Sequence, residues 1–280
     1  MSDTIRIMTR RDVDIAIEWA AVEGWNPGGH DSECYFAADP RGFLIGELDG
    51  EPVATISVVK YGKAFGFLGF YIVKPEFRGM GYGLEIWKAG LNYLGDRNIG
   101  LDGVVAQQDN YTKSGFKLAH RNMRFAGRGG GAASGCPDIV SLAALPFADV
   151  NAYSRAFFPA DRSAFWRCWI GQPGAHALGI TRGGALHGYG VMRPCRVGWK
   201  IGPLFADNAA LAEALFVDLK SKVTPLDQIF LDVPERNRDA LLLAERHGMS
   251  VSFETARMYT QECPDIGLAR TFGVTSFEVG

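Results

Sequence analysis

The sequence predicts a mixed α+β fold that is built twice along the chain. Three observations lead to this prediction. Strand-like and helix-like segments alternate throughout the 280 residues. The segment "AGRGGGAASGCP" near the middle of the chain has too few large side chains to pack a core and is typical of a flexible connector. Glycines of the first half, such as Gly50 and Gly69, recur in the second half 133 residues later, together with strand-like and helix-like runs in the same order.

The first half is predicted to run in the order strand, helix, three antiparallel strands, helix, strand, short helical turn and strand. Thr9 or Asp12 could cap the first helix, which ends at Gly24. Asp49-Gly50 is typical of a tight hairpin, and "YGK" turns the chain again into a third strand. The next helix is expected from about Tyr82 to Leu94. Three successive antiparallel strands rule out a simple alternation of strands and crossover helices.

Composition excludes several classes of function. A formal net charge of -2 provides no broad cationic field, so we expect neither nucleic acid nor an anionic membrane as a partner. The five cysteines are widely spaced and form no C-x-x-C pair, and we interpret them as reduced thiols. No apolar leader and no run of about 18 uncharged apolar residues is found, which predicts a cytoplasmic protein. Monomer and homodimer both stay open.

The segment "VKPEFRGMGYGLEIW" runs from a strand end through a glycine-rich turn into an apolar helix. Such a turn directs several backbone N–H groups at one point, where the helix dipole adds positive potential, and this arrangement suits a phosphate. Gly79, Gly81 and Gly83 would let the ligand approach the main chain, and Arg78 adds charge. A Walker A loop is excluded because Gly83 is followed by Leu-Glu instead of Lys-Ser or Lys-Thr. An ordinary strand-to-helix turn is the alternative.

Two motifs resemble those of the Gcn5-related N-acetyltransferase (GNAT) superfamily. "RGMGYG" is similar to that family's R/Q-x-x-G-x-G/A loop, and "YTKSGF" is similar to its Y-x-x-x-G-F motif. The order of elements from Thr4 to Phe125 also agrees with the family. The resemblance implies two tandem GNAT-like domains, each with a mostly antiparallel, splayed sheet flanked by helices. They would comprise residues 1–126 and 138–280, joined by a linker at 127–137.

The resemblance also implies an acyl-coenzyme A site, with acetyl as the expected acyl group. Main-chain groups of the fourth strand would pair with the pantetheine as an added strand does, and the loop would hold the pyrophosphate. No metal is implied. The residues that would contact the coenzyme are Tyr71, Ile72, Val73, Arg78, Gly79, Met80, Gly81, Tyr82, Gly83 and Tyr111.

Acyl transfer to an amine needs a group that removes a proton from the amine and a group that protonates the departing thiolate. Tyr111 is in the position where the family often has the acid, although it could instead pack under the pantetheine. The fourth strand, "AFGFLGFYIV", contains no acidic side chain, so the glutamate that some family members use as base is missing. Asp31 and Asp102 are the candidates for the base, and a helix cap or a backbone turn is the alternative role for each. Glu33, Gln107 and Gln108 are further candidates for holding a proton or ordering water.

The acceptor site and the second half are less constrained. Trp25 and Tyr35, with Asp31, could form the wall of an acceptor pocket. The second-half counterpart of the loop, "GPLFADNAALAEALF", has neither arginine nor clustered glycines, so we expect no acyl-coenzyme A there.

The sequence therefore predicts an N-acetyltransferase that acts on a primary amine of a small molecule through a ternary complex. An acyl-coenzyme A sensor without catalysis and an acetyltransferase of protein lysines or N-termini remain alternatives.

Overall fold

The structure is a computed structural model that describes residues 3–280. Within this range the chain forms thirteen strands and eight α-helices. The strands are β1 (Asp3–Ile7), β2 (Phe43–Leu48), β3 (Glu51–Tyr61), β4 (Phe65–Val73), β5 (Asn98–Val104), β6 (Lys117–Arg128), β7 (Ile139–Ser141), β8 (His176–Arg182), β9 (Ala185–Pro194), β10 (Trp199–Ala206), β11 (Gln228–Pro234), β12 (Ser250–Tyr259) and β13 (Thr271–Gly273). The helices are α1 (Arg10–Val22), α2 (Asp31–Ala38), α3 (Tyr82–Leu94), α4 (Gln108–Lys113), α5 (Phe147–Ser154), α6 (Ser163–Trp169), α7 (Ala209–Lys220) and α8 (Arg238–Arg246).

Local sequence signals explain most element ends of the first half. Thr9 caps α1, and Asp12 completes a reciprocal capping box by accepting from the Thr9 backbone N–H. The hairpin between β2 and β3 turns at Asp49 and Gly50, both with positive φ. Helix α3 spans the predicted residues. The mixed α+β class is confirmed, and so is the element order of the first half except for α2, which the predicted order leaves out.

The strands form one continuous sheet in the order β1-β2-β3-β4-β5-β12-β6-β11-β10-β9-β8-β7, and β13 pairs with β10. In each half one pair of strands runs parallel: β4 with β5, and β10 with β11. The remaining pairs are antiparallel. Both halves therefore have the same mostly antiparallel sheet with one parallel pair at its centre.

The two halves exchange one strand each. Strand β6 ends the first half in sequence but lies between β11 and β12, and β12 of the second half pairs with β5. The division into residues 1–126 and 138–280 therefore describes the order along the sequence, whereas each half contributes a strand to the sheet of the other half. The connector between the halves is also held in place at its start, because Gly129 and Gly130 donate backbone hydrogen bonds to Asp227 and Lys220. This start is fixed on the second half, in contrast to the flexible connector that the sequence predicts.

The final ten residues are buried between the halves. Strand β13 pairs with β10, and Val274 N donates to the carbonyl of Asp232 on β11, so this segment fills the gap where β10 and β11 diverge. A Cβ at Gly202 on β10 would lie 2.7 Å from the Val274 carbonyl oxygen. The chain then reaches the first half, where Ser57 and Tyr61 donate to the carbonyls of Glu278 and Val279. The second half therefore has its central cleft closed by its own chain.

A disulfide between Cys34 on α2 and Cys168 on α6 links the two halves, with Cα atoms 5.1 Å apart. This contradicts the expectation that all five cysteines are reduced thiols. Spacing along the sequence did not reveal the pair, because the two residues are 134 positions apart and meet only when α6 packs on α2. Cys136, Cys195 and Cys263 are free.

The contact between the halves has an aromatic core. Trp166 and Trp169 of α6 are both buried, and the Trp169 ring stacks on Tyr35 of α2 with centroids 5.8 Å apart. The Trp169 indole N–H donates to the Gly202 carbonyl, 2.8 Å away. None of the helices within residues 3–280 is both long and apolar enough to cross a bilayer.

Candidate active site

A cavity of about 550 Å³ opens where β4 and β5 diverge. Their parallel pairing runs from Phe65 with Asn98 to Leu68 with Leu101 and stops there. Beyond this point both strands line the cavity, which also contacts the glycine-rich loop, β12 and the C-terminal segment. The site is therefore built by both halves of the chain.

Strand β4 is bent where it meets the cavity. The register between β3 and β4 shifts between Thr55 and Ser57, and Phe70 adopts a positive φ of 44°. The Thr55 hydroxyl donates to the Phe70 carbonyl and stabilises this strained backbone. Residues 71–73 line the cavity, and β5 does not pair with them, so this edge of β4 is open to an extended ligand.

The glycine-rich loop ends at the first turn of α3. Gly79 and Gly81 have φ of 79° and 100°, and a Cβ at either position would meet no atom within 4 Å, so open space lies against the main chain. Gly83 differs, because its Cβ would lie 2.7 Å from the Tyr71 hydroxyl, so glycine lets α3 pack closely on β4. The amides at the start of a 13-residue helix face this open space. These features fit the pyrophosphate of a coenzyme A molecule. Met80 and Tyr82, which were also predicted to contact the coenzyme, belong to the same segment but do not line the cavity.

Arg78 lies at the rim of the cavity. Its Nε donates to the Val73 carbonyl at 2.9 Å, and its Nη2 forms an ion pair with Glu23 at 2.5 Å. The side chain is half-exposed, so this pair contributes about 0 to 1 kcal/mol. Arg78 therefore joins the end of α1 to the loop, and one exposed hydrogen bond to Val73 and one weak ion pair oppose its turning toward a bound anion.

Tyr111 of α4 lines the cavity and is buried. Its ring stacks on Trp87 with centroids 5.7 Å apart, and a Cβ at Gly103 would lie 2.1 Å from its Cε2 atom. Gly103 is therefore needed for the tyrosine to pack against β5. Burial raises the pKa of the Tyr111 hydroxyl to about 12, with a smaller contribution from Tyr71. The hydroxyl stays protonated at neutral pH and can donate a proton.

Asp102 lines the cavity, but its oxygens are occupied. Arg257 donates to both of them, at 2.8 and 2.5 Å, and Asn122 donates to Oδ1 at 2.8 Å. Burial raises the pKa of the carboxyl, and Arg257 and Asn122 oppose that shift. The arrangement joins β5, β12 and β6, so Asp102 has a structural role in this geometry.

Asp31 and Tyr35 are placed away from the cavity lining. Both are fully buried, and Asp31 makes an ion pair with Arg193 of β9 at 2.7 Å while it also accepts from the Gly28 amide. Burial alone would raise the pKa of the Asp31 carboxyl, but Arg193 outweighs it and holds the pKa below its usual range. Trp25, the third predicted acceptor residue, does line the cavity.

Four lining residues from the second half were missed in the sequence. They are Phe253, Thr255, Phe277 and Glu278. Thr255 Oγ1 is buried and finds no hydrogen-bond partner among residues 3–280. No motif marks these positions. The one available signal was the absence of an acidic residue on β4, which indicates that a carboxylate would have to come from elsewhere. No group of three or more His, Cys, Asp or Glu side chains suited to a metal ion occurs within the described range 3–280.

Comparison with known proteins agrees with this architecture. Residues 12–116 match the acetyltransferase (GNAT) family, and residues 150–270 match an acetyltransferase (GNAT) domain. The chain is 30% identical over 266 residues to the holothin acyltransferase of Pseudoalteromonas sp. (strain SANK 73390), covering 95% of this chain and 90% of that protein. The chain therefore belongs to the GNAT family, as a tandem-domain N-acyltransferase.

Two solved structures share the fold over nearly the whole chain. One is a Pyrococcus horikoshii protein assigned as an acetyltransferase, with a TM-score of 0.83, 23% identity and coverage of 99% of this chain and 96% of that one. The other is a tandem GNAT protein from the clavulanic acid biosynthesis pathway, with a TM-score of 0.66, 12% identity and coverage of 94% and 100%. At these identities the likeness supports the fold.

Proposed function

We propose that the protein transfers an acyl group, acetyl in the simplest case, from coenzyme A to a primary amine of a small molecule. Donor and acceptor would meet in one ternary complex in the cavity between β4 and β5. The loop from Arg78 to Gly83 would hold the pyrophosphate, and the open edge of Tyr71, Ile72 and Val73 would pair with the pantetheine. Tyr111 would protonate the departing thiolate.

The observation that carries this proposal is the open edge of β4 next to an uncovered helix start. In the second half the equivalent gap between β10 and β11 is filled by β13. The two halves thus provide an internal comparison, because the same sheet is open in one and closed in the other. One acyl-coenzyme A per chain follows from this difference.

The cavity wall supports a small acceptor. Trp25, Phe70, Phe253 and Phe277 surround the part of the cavity that the second half encloses, and Thr255 adds one unpartnered hydroxyl. A deep cavity with an aromatic wall suits a compact amine with an apolar body better than a protein tail, which needs a shallow groove. The similar protein acts, by its name, on holothin. We therefore place the acceptor among small amines with an apolar body.

Calorimetry with coenzyme A and a thiol-release assay test this proposal together. We expect one coenzyme A bound per chain, and release of free thiol from acetyl-coenzyme A only when an amine from a library of aryl and aralkyl amines is added. Tight coenzyme A binding without amine-dependent release would favour the sensor alternative. A chain that does not bind coenzyme A would overturn the assignment of the site.

A further inference from the structure

We propose that Glu278, contributed by the C-terminal segment, is the group that removes the proton from the acceptor amine. This inference rests on the proposed function. Strand β4 has no acidic side chain that could act as the base, and the second half of the chain supplies the carboxylate instead. Glu278 lines the cavity and is 209 residues away in sequence from Gly69, against which it packs.

The main chain of Glu278 is fixed against β4. The Ser57 hydroxyl donates to its carbonyl at 3.0 Å, and a Cβ at Gly69 would lie 2.2 Å from the same oxygen. Gly69 immediately precedes Phe70, where β4 bends and its cavity edge begins. Because Gly69 has no side chain, Glu278 can lie against β4 beside the open edge.

The carboxylate is oriented through one oxygen, and the other accepts from no described donor. Oε2 accepts from the Ser276 hydroxyl at 2.9 Å and shares the Tyr35 hydroxyl, 3.1 Å away, with Asp31 Oδ2, which lies 3.2 Å from it. Oε1 accepts from no donor within residues 3–280, in a residue that lines the cavity. A carboxylate that is fixed beside the cavity and keeps one oxygen without a donor is suited to accept a proton from a bound ammonium.

The other carboxylates that line the cavity are already paired. Asp102 accepts three hydrogen bonds from Arg257 and Asn122, and Glu23 pairs with Arg78 at the rim. The Arg124 guanidinium, which lies 5.1 Å from the Phe277 ring, is engaged by Asp232. Glu23 also keeps one oxygen without a described donor, but it is exposed and held by Arg78 at the rim. Among the described residues, Glu278 is thus the buried lining carboxylate with an oxygen that accepts from no donor.

The proton balance is simple. Glu278 Oε1 takes one proton from the ammonium of the acceptor, which frees the nitrogen lone pair. The nitrogen then forms the C–N bond to the acyl carbon as the C–S bond breaks. Tyr111 gives its proton to the departing sulfur and regains one from the new amide nitrogen. Glu278 releases its proton to solvent, so the net products are the amide, free coenzyme A and one proton.

The test compares two amines in the same protein sample. Benzylamine is almost entirely protonated at neutral pH and needs a base, whereas aniline is almost entirely neutral and does not. We expect Glu278→Gln to lower kcat/KM for benzylamine by about 10²-fold or more and for aniline by less than about fivefold. Because both rates come from one sample, a loss of folded protein changes them equally and leaves their ratio intact.

Glu254→Gln is the matched control, because Glu254 is exposed and lies on β12 between the lining residues Phe253 and Thr255. It should leave both rates unchanged. Calorimetry should show the same coenzyme A affinity in the wild type and in Glu278→Gln. If Glu278→Gln lowers the two rates equally, or lowers neither, Glu278 is not the proton acceptor. A wild-type chain that releases thiol with no amine of the aryl and aralkyl library removes the proposed function, and this role with it.

Discussion

Arg257 on β12 donates two hydrogen bonds to Asp102 on β5, and these residues are directly paired in the strand register. Arg124 on β6 makes the matching pair with Asp232 on β11, again between register partners. The two arginines are the ones that align in the repeat at a shift of 133 residues. Each half therefore gives one strand to the other half, and an arginine on that strand pairs with an aspartate of the other half.

These ion pairs should stabilise the strand exchange equally. Both are buried, so Asp102→Asn or Asp232→Asn leaves an arginine without its counter-charge, and we expect each to lower the free energy of unfolding by about 3 to 5 kcal/mol. Urea unfolding measures both. We also expect the two variants to differ by less than about tenfold in kcat. A hundredfold loss in Asp102→Asn alone would instead make Asp102 the proton acceptor.

The open space against the main chain of Gly79 and Gly81 predicts that a side chain placed there weakens coenzyme A binding. Gly81→Leu puts a side chain into open space that the pyrophosphate would occupy, so calorimetry should show at least a hundredfold weaker binding. Gly50→Leu is the control for backbone strain, since Gly50 also has positive φ but lies in an exposed hairpin. If both variants lose coenzyme A affinity equally, or if Gly81→Leu loses none, the pyrophosphate does not bind at this loop.

The Cys34–Cys168 bond predicts a redox-dependent stability. Thiol titration of the unfolded chain should give three reactive thiols without reductant and five with it. The bond closes a loop of more than 100 residues, so Cys34→Ser with Cys168→Ser should lower the free energy of unfolding by about 2 to 5 kcal/mol. Cys136→Ser, outside the bond, should not. Five reactive thiols in the oxidised protein would contradict the pairing.

His120 predicts how stability changes at acid pH. Burial lowers the pKa of this imidazole to about 3, so below pH 6.5 the unfolded chain binds a proton that the folded chain does not. The contribution of the neutral His120 side chain to the free energy of unfolding is therefore complete above pH 6.5 and is lost as the pH falls toward 3. Relative to pH 7, wild type should lose about 2 kcal/mol more than His120→Gln at pH 5. His30→Gln, at an exposed turn, is the control, and parallel pH profiles for wild type and His120→Gln would contradict the prediction.

Local patterns carried much of the fold. The capping residues of α1, the hairpin at Asp49 and Gly50, and the bounds of α3 follow from interactions within a few residues, so a single sequence is enough to predict them. The glycine-rich loop is of the same kind, because positive φ at Gly79 and Gly81 is a local requirement. The repeat also predicted that the second half would have a similar sheet, although not that the two sheets would join into one.

Contacts between residues that are far apart in the sequence were not predicted. Asp31, Asp102 and Tyr35 were selected because the resemblance implies positions near the site for them, and the structure engages all three in buried contacts with the second half. Glu278 had no motif to mark it. Spacing could not predict the strand exchange, because either half could have kept its own last strand with the same local sequence.

The sequence by itself determined the family, the phosphate-type loop and the order of strands and helices, since each is encoded by residues that interact with near neighbours. Only the tertiary structure decided which cleft is open, which cysteines are joined and which carboxylate reaches the cavity. These depend on residues that are more than 100 positions apart, and such pairs are brought together by the exchange of β6 and β12 and by the course of the C-terminal segment.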